Sequence, residues 1–241
     1  RAAGVRLASG AEIASPLVLS NASPRVTLLT LLGVEHLDGE FVRRCRTMAA
    51  KGMVARLDFD LASVPELRGG GALQSGQRLV VAPTMQTIET AFNAAKYRNL
   101  PDRPALEVTY DGADKRLSVT AQFAPYDLAG GWSDKAKAKL SASVLAVLGE
   151  ALPGVGSTVT ASRVMSPADI EAGYGAAGGH WHHGELRVDQ LLMLRPFDGA
   201  AQYRMPVAGL YLCGAGAHPG GDISGAAGFN AARAALRDGG H

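Results

Sequence analysis

Gly209-Leu-Tyr-Leu-Cys213-Gly-Ala-Gly216-Ala-His218-Pro-Gly-Gly-Asp222-Ile-Ser224-Gly-Ala-Ala-Gly-Phe-Asn230 is the stretch on which the reading of this chain turns. Its apolar run, Leu210 to Cys213, has the length and composition of a buried strand. The run ends in a glycine-rich turn, and beyond the turn Ser224 is placed to cap a helix. Gly225, Ala226, Ala227, Ala231 and Ala232 are small, so a neighbouring backbone or ligand can approach that helix closely. A strand, a glycine turn and a helix N-terminus together aim N–H groups and the positive end of a helix dipole at one spot. The stretch predicts a cradle for the electron-rich edge of a ligand.

Spacing alone leaves the ligand open. Gly214 and Gly216 look like the start of a dinucleotide fingerprint, but Pro219 stands where the third glycine is needed. Such a fingerprint also opens the first βα unit of its domain, with more sheet to follow. A decoy glycine turn before a terminal helix is the bland alternative.

The motif Leu210-Tyr-Leu-Cys-Gly-Ala-Gly-Ala-His-Pro-Gly-Gly221, followed by Ser224-Gly-Ala-Ala-Gly-Phe-Asn-Ala-Ala232, is long and nearly ungapped. It resembles the C-terminal flavin-binding segment of the phytoene desaturase-like FAD oxidoreductases, in the branch that includes pyridine nucleotide-disulfide oxidoreductase domain-containing protein 2. Other pieces fit in order: Gly4-Val-Arg-Leu-Ala-Ser-Gly10, Val18-Leu-Ser-Asn21, Phe123-Ala-Pro-Tyr126, Gly178-Gly-His-Trp-His-His183-Gly-Glu185, and Asp189-Gln190-Leu with Arg195-Pro196. The resemblance implies a cofactor, FAD, held in part by Gly214, Ala215, Gly216, Asp222, Ile223, Ser224 and Gly225. It places His183, Gln190, Arg195 and His218 near the flavin or the substrate. The family's N-terminal Gly-x-Gly-x-x-Gly has no counterpart here, so the chain reads as the C-terminal portion of a larger flavoprotein, inactive and without FAD as a fragment.

Composition agrees with a globular protein and excludes little else. The 241 residues are 47% hydrophobic and 19% charged, with a formal net charge of +2, which gives no case for nucleic acid or an anionic membrane surface. Cys45 and Cys213 form no Cys-x-x-Cys pair, a pattern suited to a reducing compartment. A bacterial-type cytoplasmic location is expected, with any N-terminal targeting signal left open. No apolar run reaches the length of a membrane span, although transient membrane contact is compatible with the reading. The oligomeric state is not legible.

Along the chain, Ala8-Ser9-Gly10 turns a hairpin and Leu17 to Leu19 is a strand. Pro24 to Leu32 and Asp38 to Ala49 read as helices, and Met53 to Phe59 as a strand. Arg78 to Ala82 reads as a short buried strand. Thr84 and Ser133 cap helices with stripes Ile88, Ala91, Phe92, Ala95 and Leu140, Val144, Val147, Leu148. Asp111-Gly112 joins strands Leu106 to Tyr110 and Leu117 to Phe123, and Val159 to Val164 is one more strand. The expected fold is mixed α/β and α+β. An incomplete FAD/NAD(P)-binding (Rossmann-like) domain spans residues 1–22 and 186–241. An α+β substrate domain with a mainly antiparallel sheet spans 23–185.

Individual side chains carry two readings each. His180, His182, His183 and Glu185 invite a metal, but no second cluster completes a ligand set, and a glycine-flanked loop lining a cleft is the preferred reading; no metal is expected. Arg195 either neutralises charge on reduced flavin or fastens the returning chain. Asp222 is a flavin-edge contact or a solvated loop acid. By the resemblance, Ala215 stands where many two-domain flavoproteins carry a ribityl-binding acid. His218 is a proton-transfer group or a turn-stabilising side chain. No catalytic acid or base is identified. The expected function is dehydrogenase- or desaturase-type oxidation of a hydrophobic, isoprenoid or lipid-like molecule. A non-catalytic binding or assembly module is the alternative.

Overall fold

The computed structural model describes residues 1–239. The chain forms two compact units, one of Arg1–Lys51 with Gly173 onward, the other of Gly52–Ala172. The first division lies later in the chain than the 22/23 boundary expected from sequence, and the second earlier than the expected 185/186. Packing explains the difference. Leu28, Phe41, Cys45, Met48 and Ala50 share one buried cluster with Leu210, Leu212 and Ala217. Residues 23–51 are therefore core of the first unit.

In the first unit, β1 (Gly4–Arg6) and β2 (Glu12–Ala14) form an antiparallel hairpin, and β3 (Val18–Ser20) follows. The helix expected from Pro24 winds over Val26–Leu32 as a wide π-type segment. Asp38 caps α1 (Gly39–Thr47), its carboxylate accepting the Phe41 N–H at 2.8 Å.

The second unit holds β4 (Val54–Leu61), β5 (Arg78–Val81), α2 (Met85–Lys96), β6 (Leu106–Asp111), β7 (Arg116–Gln122), α3 (Asp134–Ala151), the single turn α4 (Val155–Thr158), β8 (Val159–Met165) and α5 (Pro167–Tyr174). Its sheet runs β5-β6-β7-β4-β8, and every neighbouring pair is antiparallel. In β4, Ala55, Leu57, Phe59 and Leu61 are buried, while Arg56, Asp58 and Asp60 take the opposite face. The α3 stripe Leu140, Val144, Val147 and Leu148 lies in the same core as that apolar face. Each such side chain contributes about 1.5–3 kcal/mol by leaving water. The strand expected to be buried at 78–82 is instead the sheet edge, and Val80 is 60% exposed. Phe92, expected on the buried stripe of α2, is 40% exposed and rests edge-on against Phe123.

The chain then returns to the first unit for β9 (Leu210–Leu212) and α6 (Ala226–Asp238). β3 and β9 pair in parallel, Val18 with Leu210 and Ser20 with Leu212, and the Cys213 N–H continues the ladder to the Ser20 carbonyl at 2.9 Å. Asp238 fastens the far end of α6 to Arg204 and to the Tyr211 hydroxyl, both at 2.6 Å.

Candidate functional site

The glycine turn between β9 and α6 is shaped by close packing. A Cβ on Gly214 would lie 2.5 Å from the Asn21 carbonyl oxygen and 2.6 Å from its Oδ1. One on Gly216 would collide with the Pro24 ring, and one on Gly221 would sit 2.6 Å from His182 Nδ1. These glycines let the turn lie on the end of β3 and on the histidine segment. Gly225 is different: its φ is +69° and a Cβ there meets nothing within 4 Å.

Gly214, Ala215, Ile223, Ser224 and Gly225 line an open cleft of about 200 Å³, along with Asn21, Cys213, Gly220, Gly221 and the first turn of α6, Ala226 to Gly228. Gly216 and Asp222 are not among the lining residues: Gly216 is pressed on Pro24, and Asp222 is exposed with Oδ1 3.6 Å from His182 Nε2. Ser224 does not occupy the N-cap. Gly225 does, in the left-handed region, because Asp222 (φ 70°) and Ile223 (φ 60°) wind the chain the same way before the helix starts. The Ser224 hydroxyl still accepts the Ala226 N–H at 3.3 Å. The N–H groups of Ala227 and Gly228 have no protein partner among the described residues, as a first helical turn requires.

The more distant candidates are brought to the back of this turn. Arg195 is 1% exposed. Its Nε and Nη2 donate to the Ala215 carbonyl at 3.1 and 2.8 Å. Nη2 also donates to the carbonyls of His182 (2.6 Å) and Gly184 (3.5 Å), and Nη1 to that of Gln190 (3.4 Å). Gln190 is itself buried, accepting the Ala49 N–H at 2.6 Å and donating to the Ala49 carbonyl at 2.8 Å. His183, at φ 59°, packs on Gly216, and its buried Nδ1 has no hydrogen-bond partner among the described residues. Burial, then the Arg195 charge, pushes the His183 pKa down. Burial chiefly, with His182 and Arg195, brings His180 down to about 4. His218 does not line the cleft, and its Nδ1 lies 2.9 Å from the Leu192 carbonyl oxygen.

Among the described residues, no three His, Cys, Asp or Glu side chains are placed to hold a metal ion, and no helix is long and apolar enough to cross a membrane. The small residues Ala226 and Ala227 were read from sequence as allowing close approach; Cys213 as lining, and His182 as the ring that Gly221 accommodates, were not. The signal for Cys213 was its place at the end of the apolar run, next to the motif.

The structure is thus a mixed helix-and-sheet protein with a strand–turn–helix cradle, and its relatives bear names of oxidoreductase type. The chain is 35% identical to pyridine nucleotide-disulfide oxidoreductase domain-containing protein 2 of Mus musculus and 34% identical to that of Rattus norvegicus, over 99% of its own length in both. It is 28% identical, over 94% of its length, to the phytoene desaturase (neurosporene-forming) of Cereibacter sphaeroides. The resemblance read from the glycine motif is borne out. The chain spans 44% of the length of each of these relatives. No family model matches it.

Proposed function

We propose that this chain supplies the flavin-edge half of an FAD-dependent oxidoreductase of dehydrogenase or desaturase type, acting on a hydrophobic, isoprenoid or lipid-like substrate. The observation that carries the reading is the cleft itself, walled by backbone, small residues and the N-terminus of α6. A flat, electron-rich ring edge fits such a wall, and the open space over Gly225 leaves it room. On this reading the first unit is part of a Rossmann-like nucleotide-binding domain and the second the substrate domain. In a protein of the relatives' length, the remaining segment would hold the pyrophosphate.

Bound FAD supplies a two-electron acceptor for hydride leaving a substrate C–H bond. The residues here bind and orient. Gly214, Ala215 and Ser224 to Gly228 present backbone to the ring edge, and Arg195, Gln190 and His183 brace the turn from behind. The name of the Cereibacter relative supports a hydrophobic substrate. Two free cysteines agree with a reducing, cytoplasmic setting.

The test is anaerobic mixing of the complete, flavin-loaded protein with isoprenoid or acyl-chain compounds. Bleaching of the flavin by these, and not by water-soluble alcohols or amines, is expected. Complete protein that cannot be loaded with FAD supports the non-catalytic module instead.

A further inference from the structure

Arg195 is a buried cation paired with no carboxylate among the described residues. Five donor contacts from its guanidinium end on the carbonyls of His182, Gly184, Gln190 and Ala215, which are neutral. The acids nearest in sequence are engaged elsewhere, Asp198 with Arg44 at 2.7 Å. Glu185 accepts the Lys51 N–H, Asp189 pairs with Arg187, and Asp222 faces His182. An arginine keeps its proton even when burial lowers its pKa, as it does here. A buried charge balanced only by dipoles favours an anion nearby. Two of the contacts fall on Ala215, which lines the cleft, and the Nε lies 3.6 Å from where a Gly220 Cβ would be.

We propose that Arg195 is a positioning residue whose uncompensated charge tunes the site, favouring a ligand that becomes negative on the other side of the Ala215–Gly220 turn. Resting on the flavin reading above, that ligand is FAD, whose two-electron reduction with uptake of one proton leaves the ring anionic. Arg195 then acts in two separable ways. Its fork of hydrogen bonds ties the histidine segment to the glycine turn, and its charge raises the potential of whatever is reduced there. Burial chiefly, and the Arg195 charge with it, disfavours the cationic forms of His183 and His180.

Arg195→Lys and Arg195→Met in the complete protein separate the two effects. Lysine keeps the charge and loses the planar fork; methionine loses both. Both variants are expected to melt at lower temperature. The flavin potential of the lysine variant should stay near that of the unsubstituted protein. The methionine variant should fall by at least tenfold in the two-electron equilibrium, about 30 mV. In flavin-free protein, NMR titration should show the His183 ring gaining a proton at higher pH in the methionine variant only. His180, His182, Asp222 and Glu185 are the other groups that face this region and are followed in the same spectra. Equal potentials in all three proteins, or equal losses in both variants, overturn the proposal. Should the methionine variant fail to fold, the unsubstituted protein decides. A potential falling about 30 mV per pH unit fits an anionic reduced ring, and twice that slope contradicts it. Unsubstituted protein that takes up no flavin contradicts the proposed function, whereas loaded protein indifferent to the charge contradicts only this inference.

Discussion

Glycines in the cleft answer to two different constraints. Gly214 lacks a side chain because Asn21 fills the space, so Gly214→Ala should destabilise the first unit by about 1–3 kcal/mol through overpacking. Differential scanning calorimetry measures this, and an unchanged melting temperature contradicts the packing described. Ile223 presents the opposite case: a β-branched, fully exposed residue held at φ 60°. That backbone costs roughly 1–2 kcal/mol in a non-glycine residue, more than the unfolded-state entropy of about 0.4–1 kcal/mol that glycine adds. Ile223→Gly should therefore raise the melting temperature, and a decrease shows that the strain is not stored there. The motif made the glycine positions legible. It did not reveal the left-handed run at Asp222 and Ile223, because positive φ at non-glycine residues is imposed by packing rather than propensity. Arg195 and Gln190 were legible as polar positions, but their carbonyl partners lie in segments that only the folded chain brings together.

At the level of elements, local chemistry was enough where the signal is local. Thr84 and Ser133 cap α2 and α3 as their hydroxyls suggest, and Asp111 closes its hairpin by accepting the Ala113 N–H at 2.9 Å. Strand order was not legible, because β4 pairs with β7 and β8 across long stretches of sequence. That pairing makes Asp58 the junction of three strands. Its carboxylate accepts from Ser118 at 2.7 Å, from Arg56 at 3.2 Å and from Arg163 at 3.4 Å. Burial opposes its charge, but the Ser118 hydrogen bond and the two arginines outweigh it and hold the carboxyl below its usual value. A lowered folded-state pKa gives stability that is present above the unfolded value of about 3.9 and lost as pH falls through the folded one. Asp58→Asn should remove that part of the acid sensitivity. Urea melts at pH 6 and pH 3 measure it, and the same acid loss in both proteins contradicts the role given to Asp58.

The whole chain is two units of different character. Residues 52–172 contain all five strands of one sheet and a contiguous core. Expressed alone, they should unfold in one cooperative urea transition with dispersed amide NMR signals; a molten, dye-binding product contradicts that independence. The first unit is built from both ends of the chain around a two-stranded parallel sheet. Parallel sheets are ordinarily covered on both faces, yet Leu17 and Leu19 are exposed along β3. This unit carries the glycine turn, so the central claim concerns whether that turn holds a flavin. The direct measurement is flavin per polypeptide, by absorbance, in the complete protein and in its Gly225→Val and Asp222→Ala variants. About one flavin per chain is predicted in the unsubstituted and Asp222→Ala proteins, since Asp222 does not line the cleft. Gly225→Val should lose it while residues 52–172 stay folded, because valine would both fill the open space and resist the left-handed φ. Full flavin occupancy in the valine variant, or its loss in Asp222→Ala alone, would contradict the account.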